Sequence, residues 1–180
     1  MTTPALPEPD EKDWTWVIHE PCPDCRFDPR PVQHAEVPEL TRRFTTVMRE
    51  ALARPDAAVR PEPTVWAPVE YGCHVRDVCR LFGVRLDLML TEDDPVFANW
   101  DQDVTAVDER YWEQQPAAVA GHLAEAADAI ADAFAAVEGE QWQRPGRRSN
   151  GSVFTVDTFA RYFLHDLAHH AWDVTPARRR

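Results

Sequence analysis

The chain has 180 residues, of which 44% are hydrophobic and 28% are charged, and its formal net charge at pH 7 is −12. A chain of this length forms one domain with a full core, and its acidity excludes nucleic acid and anionic membranes as general partners. Because no apolar run is long enough to cross a bilayer and the acidic N-terminus is unlike a secretory signal, we expect a cytoplasmic protein with reduced thiols.

Residues 1–35 are predicted to form an irregular arm laid against the rest of the protein. They contain seven of the 16 prolines and show no helical periodicity. The expected anchors of this arm are its bulky apolar side chains, Trp14, Trp16, Val17 and Phe27.

Residues 36–175 are predicted to form a single all-α domain, a four-helix bundle. The apolar residues recur at helical spacing in four segments, and proline falls in the first turn of three of them. These segments are residues 37–53, 68–90, 116 to about 137, and 157–173. Residues 91–115 read as a long acidic crossover or lid and 144–152 as a turn, while strand signals are almost absent. Four amphipathic helices with one long connection favour a bundle.

The fourth predicted helix carries His165 and His169, which are four residues apart. Their imidazoles therefore project from one face of the helix, about one turn apart, and are able to bind one cation together. A catalytic zinc normally has three protein ligands, and His74 is the expected third, because it lies in the middle of the buried stripe of the second helix. The sequence thus predicts a three-histidine metal site in the bundle core.

Each part of this motif also has a simpler interpretation. Two histidines at this spacing arise easily by chance, and a histidine on an apolar face is more often a hydrogen-bonded core residue. His170 points about 100° away from His169, which predicts a supporting or packing role.

The arm contains a second cluster, His19-x2-Cys22-x2-Cys25. A C-x-x-C pair is typical of a zinc knuckle or of a redox pair, and a zinc knuckle would need a further ligand such as His34. Two other interpretations stay open: the thiols pack in a proline-shaped turn, or they approach the metal of the bundle. Cys73 and Cys79 are expected to be buried as small apolar residues.

The segments 66–78 (WAPVEYGCHVRDV) and 165–169 (HDLAH) resemble the DinB-like, or YfiT-like, metalloenzymes. The resemblance covers residues from about 36 to 175, and the segment 94–103 with the cysteine-bearing arm is similar to one branch of that superfamily. It implies an up-down-down-up bundle with a divalent metal, zinc or nickel, held by His74, His165 and His169.

The superfamily includes enzymes that use low-molecular-weight thiols such as mycothiol. The resemblance therefore implies a thiol S-transferase or a hydrolase, in which the metal activates a thiol or water toward a small electrophile. Arginines near the predicted site, Arg76, Arg148 and Arg161, are candidates for binding acidic groups of the thiol. The chain is expected to differ from the characterised transferases of the superfamily by its cysteine-bearing arm, and from the maleylpyruvate isomerases by the lack of their extra C-terminal domain.

Two other functions remain open at this stage. One is a non-enzymatic, metal- or redox-responsive binding protein that uses Cys22 and Cys25. The other is a helical scaffold without a site. A homodimer is compatible with a bundle of this kind, although no segment indicates its interface.

Overall fold

The computed structural model describes Ala5 and residues 13–175. Within them, four long helices form a bundle in which some neighbouring helices are parallel and others antiparallel. A short helix and a small sheet lie beside the bundle. The bundle helices are α1 (Val37–Leu52), α2 (Pro68–Thr91), α4 (Pro116–Ala135) and α5 (Val156–Asp173), and the short helix is α3 (Gln102–Asp108). The predicted four-helix bundle is confirmed.

The helices begin where the sequence supplies a first-turn proline or a cap. A proline occupies the first or second position of α1, α2 and α4, where its missing N–H leaves no helical hydrogen bond unmade. The side chain of Thr155 accepts a hydrogen bond from the backbone of Thr158 and caps α5. The α2 start is fixed further by Glu70, which accepts a hydrogen bond from Ala67 N and pairs with Arg60.

The helix directions follow from contacts at the two ends of the bundle. Gly72, near the start of α2, lies against Leu52 at the end of α1 and Val119 at the start of α4. Arg144, which follows α4, donates to the carbonyl of Met89 near the end of α2. Thus α2 and α4 run parallel to each other and antiparallel to α1, and α5 returns alongside α1, as the up-down-down-up prediction requires.

The long connection after α2 is more ordered than the sequence indicated. It contains α3 and a 3-10 turn, Tyr111–Glu113, and it runs back along α2 instead of leaving the bundle. The hydroxyl of Tyr111 donates to Asp77 over 2.6 Å, and the ring of Trp100 stacks on His74. This connection therefore forms one wall above the N-terminal half of α2.

Three short strands correct the expectation that strands are almost absent. They are β1 (Val96–Phe97), β2 (Pro145–Arg148) and β3 (Val153–Thr155), in which β1 pairs parallel to β2 and β2 antiparallel to β3. Each has at most four residues, too few to show an alternating pattern. At Gly146 a Cβ would stand 2.6 Å from Phe97 and 2.7 Å from Met89, so only glycine allows β2 to lie this close to the core.

The described part of the arm, residues 13–35, packs against α5 and the bundle. It contains 3-10 turns at Trp14–Ile18 and His34–Glu36. Of the predicted anchors, Val17 is fully buried, and Phe27 makes an edge contact with Phe44 of α1. Within the described residues, every helix is too short or too polar to cross a membrane.

Candidate metal centre

Helix α5 presents two pairs of side chains to two different neighbours. Within each pair, the two residues are four positions apart. Asp166 and His170 face α2, where their ligand atoms and those of His74 all lie within 4.8 Å of one another. His165 and His169 face the arm and form a similar group with its two cysteines. Adjacent residues of a helix differ in direction by about 100°, so one helix serves both groups.

The group of His74, Asp166 and His170 has atom spacings close to those around a bound divalent cation. Oδ1 of Asp166 lies 3.8 Å from Nε2 of His74 and 3.8 Å from Nε2 of His170. Ligand atoms at about 2.0–2.1 Å from a tetrahedral zinc are about 3.4 Å apart. A small inward movement of these side chains would therefore bring all three atoms into bonding distance of one ion.

A buried carboxylate orients one of these histidines. Nδ1 of His170 lies 2.8 Å from Oδ2 of Asp173, whose side chain is only 5% exposed. When Nδ1–H donates to this carboxylate, the lone pair of Nε2 remains available on the side of Asp166 and His74. Histidines that bind metals usually have such a partner, which fixes their tautomer and ring orientation.

The other two members of the group contain buried polar atoms that lack partners. Within residues 13–175, neither ring nitrogen of His74 nor Oδ1 of Asp166 has a hydrogen-bond partner, and His74 is only 1% exposed. An unsatisfied buried polar atom costs roughly 1–3 kcal/mol. A cation shared by Nε2 of His74 and Oδ1 of Asp166 would satisfy both atoms, so the residues present fit a divalent metal.

Burial acts in opposite directions on the two buried members of this group. It holds the pKa of His74 well below the ordinary value of 6.5, with a further contribution from His170. Burial also raises the pKa of Asp166, an effect that His170 opposes. The neutral imidazole keeps the lone pair that coordination needs, and a nearby cation would favour the ionised carboxylate.

Two tryptophans enclose the buried histidine. The indole rings of Trp66 and Trp100 each lie 5.6 Å from the ring of His74, centroid to centroid. Trp100 is held in place by a 2.9 Å hydrogen bond from its Nε1 to Oγ1 of Thr105 in α3. The connection between α2 and α4 thus shields His74 from water.

The structure groups the predicted ligands differently from the sequence-based set of His74, His165 and His169. His74 lies with Asp166 and His170, while His165 and His169 lie with the cysteines. The reason is the rotation of α5 about its axis. This rotation directs Asp166 and His170 toward α2, each of them one residue after a predicted ligand. The prediction that His165 and His169 share one face agrees with their ring centroids, 5.3 Å apart.

The arm cysteines lie beside α5, and both are free thiols. Sγ of Cys22 is 3.6 Å from Nδ1 of His169, so one thiol of the arm lies beside a histidine of the bundle; whether the thiols approach the metal of the bundle stays a prediction. The proposed fourth ligand His34 is elsewhere, stacked on Trp142 and paired with Asp157.

The surroundings of the Cys25 thiol favour its protonated form. Burial raises its pKa to about 12, and the neighbouring Cys22 adds to the shift. The thiolate is the reactive form in disulfide exchange, and the redox-responsive alternative stays a prediction.

A cleft of about 730 Å³ opens beside both groups. Its lining includes residues of the arm, of the 92–115 connection, of the sheet and of α5. The aromatic and histidine residues among them are Trp14, Trp66, Tyr71, Phe82, Trp100, Tyr162, His165, His169 and His170. Its size falls within the range of small-molecule sites.

Of the three predicted arginines, only Arg148 lines the cleft, together with Arg85. Neither guanidinium forms a salt bridge with a carboxylate of residues 13–175. Burial lowers the pKa of Arg85 to about 10, and the positive charge of the nearby Arg148 contributes less to this shift. Arg76 instead forms a two-point pair with Asp77 at 2.8 and 2.7 Å.

Arg161 is also taken up elsewhere: it pairs with Asp157 and donates to the backbone of the arm. Arg76 and Arg161 are therefore placed outside the cleft. Their positive charges are neutralised or used for packing.

Several site residues escaped the sequence prediction. Asp166 and Asp173 form the pattern D-x3-H-x2-D with His170. This pattern was available in the sequence, but it overlaps the H-x3-H pair on which the prediction relied. Arg85 and Trp100 carry no local signal, because they reach the cleft only through the packing of α2 and its connection.

A four-helix bundle with two histidines and a carboxylate gathered beside a cleft defines a class of candidate metal-binding bundle proteins. A profile of the DinB superfamily matches residues 39–174, and the chain belongs to that superfamily.

Among solved structures, the chain is similar to YfiT from Bacillus subtilis, described as a probable metal-dependent hydrolase with an unusual four-helix bundle topology. The TM-score is 0.71 at 16% identity, over 82% of this chain and 87% of YfiT. This likeness shows the shared fold. No curated protein matches the chain.

Proposed function

We propose that the protein is a metal-dependent enzyme in which His74, Asp166 and His170 hold a divalent cation at the edge of the cleft. The observation that carries this proposal is the convergence of ligand atoms, two of which, Nε2 of His74 and Oδ1 of Asp166, are buried and have no hydrogen-bond partner among residues 13–175. The description of YfiT as a probable metal-dependent hydrolase supports it. Zinc and nickel both accept imidazole and carboxylate ligands.

His74, Asp166 and His170 would hold the cation, which would supply a lowered pKa to a thiol or water bound beside them. The chain contributes the surroundings of that thiol or water. His74 and His170 bind as neutral imidazoles, and Asp173 keeps His170 oriented. Trp66 and Trp100 exclude water from the inner side of the site, so the reacting group enters from the cleft.

The cleft arginines indicate the substrate class. Arg85 and Arg148 place two positive charges in a cleft that is also lined by Asp101, Asp103, Asp166 and Asp173. Neither guanidinium is within salt-bridge distance of a carboxylate of residues 13–175, although that of Arg85 donates to the carbonyl of Ala98 over 3.0 Å. Guanidinium groups bind carboxylates and phosphates through paired hydrogen bonds. We therefore assign to the substrate, or to a low-molecular-weight thiol such as mycothiol, an anionic group that these residues hold.

Two reactions fit this site. In S-transfer, the sulfur of the thiol forms a bond to an electrophilic carbon, the thiol proton passes to solvent, and the leaving group departs with its bonding electrons. In hydrolysis, a water oxygen forms that bond, one proton of the water passes to solvent, and the leaving group departs with its bonding electrons. Thiol transfer, a homodimer and a cytoplasmic location remain predictions.

The test compares metal content and turnover in matched variants. Wild-type protein loaded with zinc or nickel is assayed with an activated ester and, separately, with a thiol and an electrophile. We expect His170→Ala to lose both the metal and the turnover, while His122→Ala, an exposed histidine of α4, retains both. Full activity of His170→Ala, or activity of the chelator-treated wild type, would refute the proposal.

A further inference from the structure

We propose that Cys22, Cys25, His165 and His169 form a second metal site, a closed Cys2His2 site suited to zinc, which fixes the arm to α5. Their ligand atoms all lie within 4.8 Å of one another. Cys22 and His165 are buried, and the other two are half-buried. The four side chains are distinct from the three that form the candidate catalytic group.

The ligand types and spacings are those of a structural zinc site. The cysteines are separated by two residues and the histidines by three, as in Cys2His2 sites. In a tetrahedral zinc site with bonds of about 2.3 Å to sulfur and 2.0–2.1 Å to nitrogen, sulfur and nitrogen lie about 3.6 Å apart. The distance from Sγ of Cys22 to Nδ1 of His169 is 3.6 Å.

The backbone of the arm brings the two thiols to one side. The N–H of Cys22 donates to the carbonyl of Phe27 over 3.0 Å, and the N–H of Arg26 donates back to the carbonyl of Cys22 over 2.9 Å. Arg26 has a φ of 60°, which is the left-handed conformation that closes a tight turn. The turn is therefore held by the backbone of the arm itself.

A buried atom of α5 lacks a partner at this place. Nε2 of His165 has no hydrogen-bond partner within the described residues, and the residue is only 4% exposed. Coordination would satisfy it. Four protein ligands leave no vacant position, so this site stabilises structure and does not activate substrate.

The site has a consequence for the cleft. Trp14 stacks on the ring of His165 at 5.5 Å and meets His169 edge-on at 5.3 Å, and it also lines the cleft. An ion that holds the arm on α5 thereby holds this cleft wall in place.

Cobalt titration of metal-free, reduced protein tests the proposal. We expect wild type to bind two equivalents and to develop a thiolate-to-cobalt charge-transfer band in the near ultraviolet. The Cys22→Ser/Cys25→Ser variant should bind one equivalent without the band, and Cys73→Ala, a buried cysteine outside both groups, should behave as wild type. A double variant that still binds two equivalents would overturn the proposal.

The His170→Ala variant separates this proposal from the proposed function. It should keep the charge-transfer band and lose only the other equivalent, so each site fails or succeeds by itself. If the double-cysteine variant does not fold, as judged by circular dichroism, X-ray absorption of zinc-loaded wild type replaces it. Sulfur neighbours at about 2.3 Å would support the site, and their absence would overturn it.

Discussion

The two faces of α5 hold similar residues in different surroundings. Toward α2, Asp166 and His170 meet one buried histidine and the open cleft. Toward the arm, His165 and His169 meet two cysteines supplied by a tight turn. Three ligands of nitrogen and oxygen leave a position for a reacting molecule, whereas four ligands that include sulfur complete the coordination of zinc. In the two proposals, the number and type of partners, more than the spacing on α5, would therefore separate a catalytic from a structural role.

The largest effect is expected from a comparison of two single variants, each of which removes one histidine from a different face of α5. His170→Ala should lower turnover by more than about 100-fold, since even the loss of an outer partner of a metal ligand costs 10–100-fold. His169→Ala should keep the ion bound by His74. Metal analysis and turnover of both variants measure the difference. If His169→Ala also loses the catalytic ion, the two faces act as one site, as the set of His74, His165 and His169 predicts.

A smaller effect is expected from Asp173→Asn, which sharpens the assignment of the catalytic face. The amide accepts a weaker hydrogen bond from Nδ1 of His170, so affinity for the ion should fall about 10–100-fold. Competition with a chelator of known affinity measures this change, and the exposed Asp87→Asn on α2 is the control. Equal affinities in the two variants would show that Asp173 does not support His170.

The metal-free protein should lose stability in acid. Burial, with His169 and His170 nearby, lowers the pKa of His165 to about 3, while the unfolded chain titrates near 6.5. Between pH 7 and pH 5 the unfolded state therefore binds a proton that the folded state does not, which costs the fold about 2 kcal/mol. His74 acts in the same direction, and the raised pKa of Asp166 acts against it as the pH approaches 3.8.

Urea unfolding at the two pH values, with chelator present, checks this expectation. His165→Asn should reduce the difference in unfolding free energy, while the exposed His122→Asn should leave it unchanged. An unchanged difference in His165→Asn would mean that this imidazole does not carry the acid sensitivity.

The smallest effect is expected from Arg148→Ala, which probes the substrate end of the cleft. Loss of one guanidinium contact to an anionic group should raise KM about 10-fold, with kcat little changed. Arg147→Ala is the control on the same strand, because that side chain pairs with Asp94. The same rise in KM for a neutral substrate analogue would contradict a charge contact.

The bundle was predictable because its signals are local. Pro68 and Pro116 mark helix starts, and the apolar stripes of the four helices give their buried faces. The sheet was not predictable, because Val96–Phe97 is too short for a pattern and its pairing with β2 depends on residues about 50 positions away.

Of the candidate site, His74 was predictable, whereas Asp166 and the grouping of the α5 residues were not. His74 is buried in α2 as its place in the apolar stripe indicated. The choice between His169 and His170 depends on the rotation of α5, which is set by packing of apolar residues such as Phe159 and Phe163 against Phe82. A helical period read from sequence does not fix that angle.

The contact between Cys22 and His169 joins positions 147 residues apart. The turn at Cys22 leaves the ribosome early, but its partners on α5 are made only after nearly all of the bundle. Closing so long a loop is slow and entropically costly, so arm docking is a late event in folding. Zinc availability would then govern the final step of maturation, after the helices have already assembled.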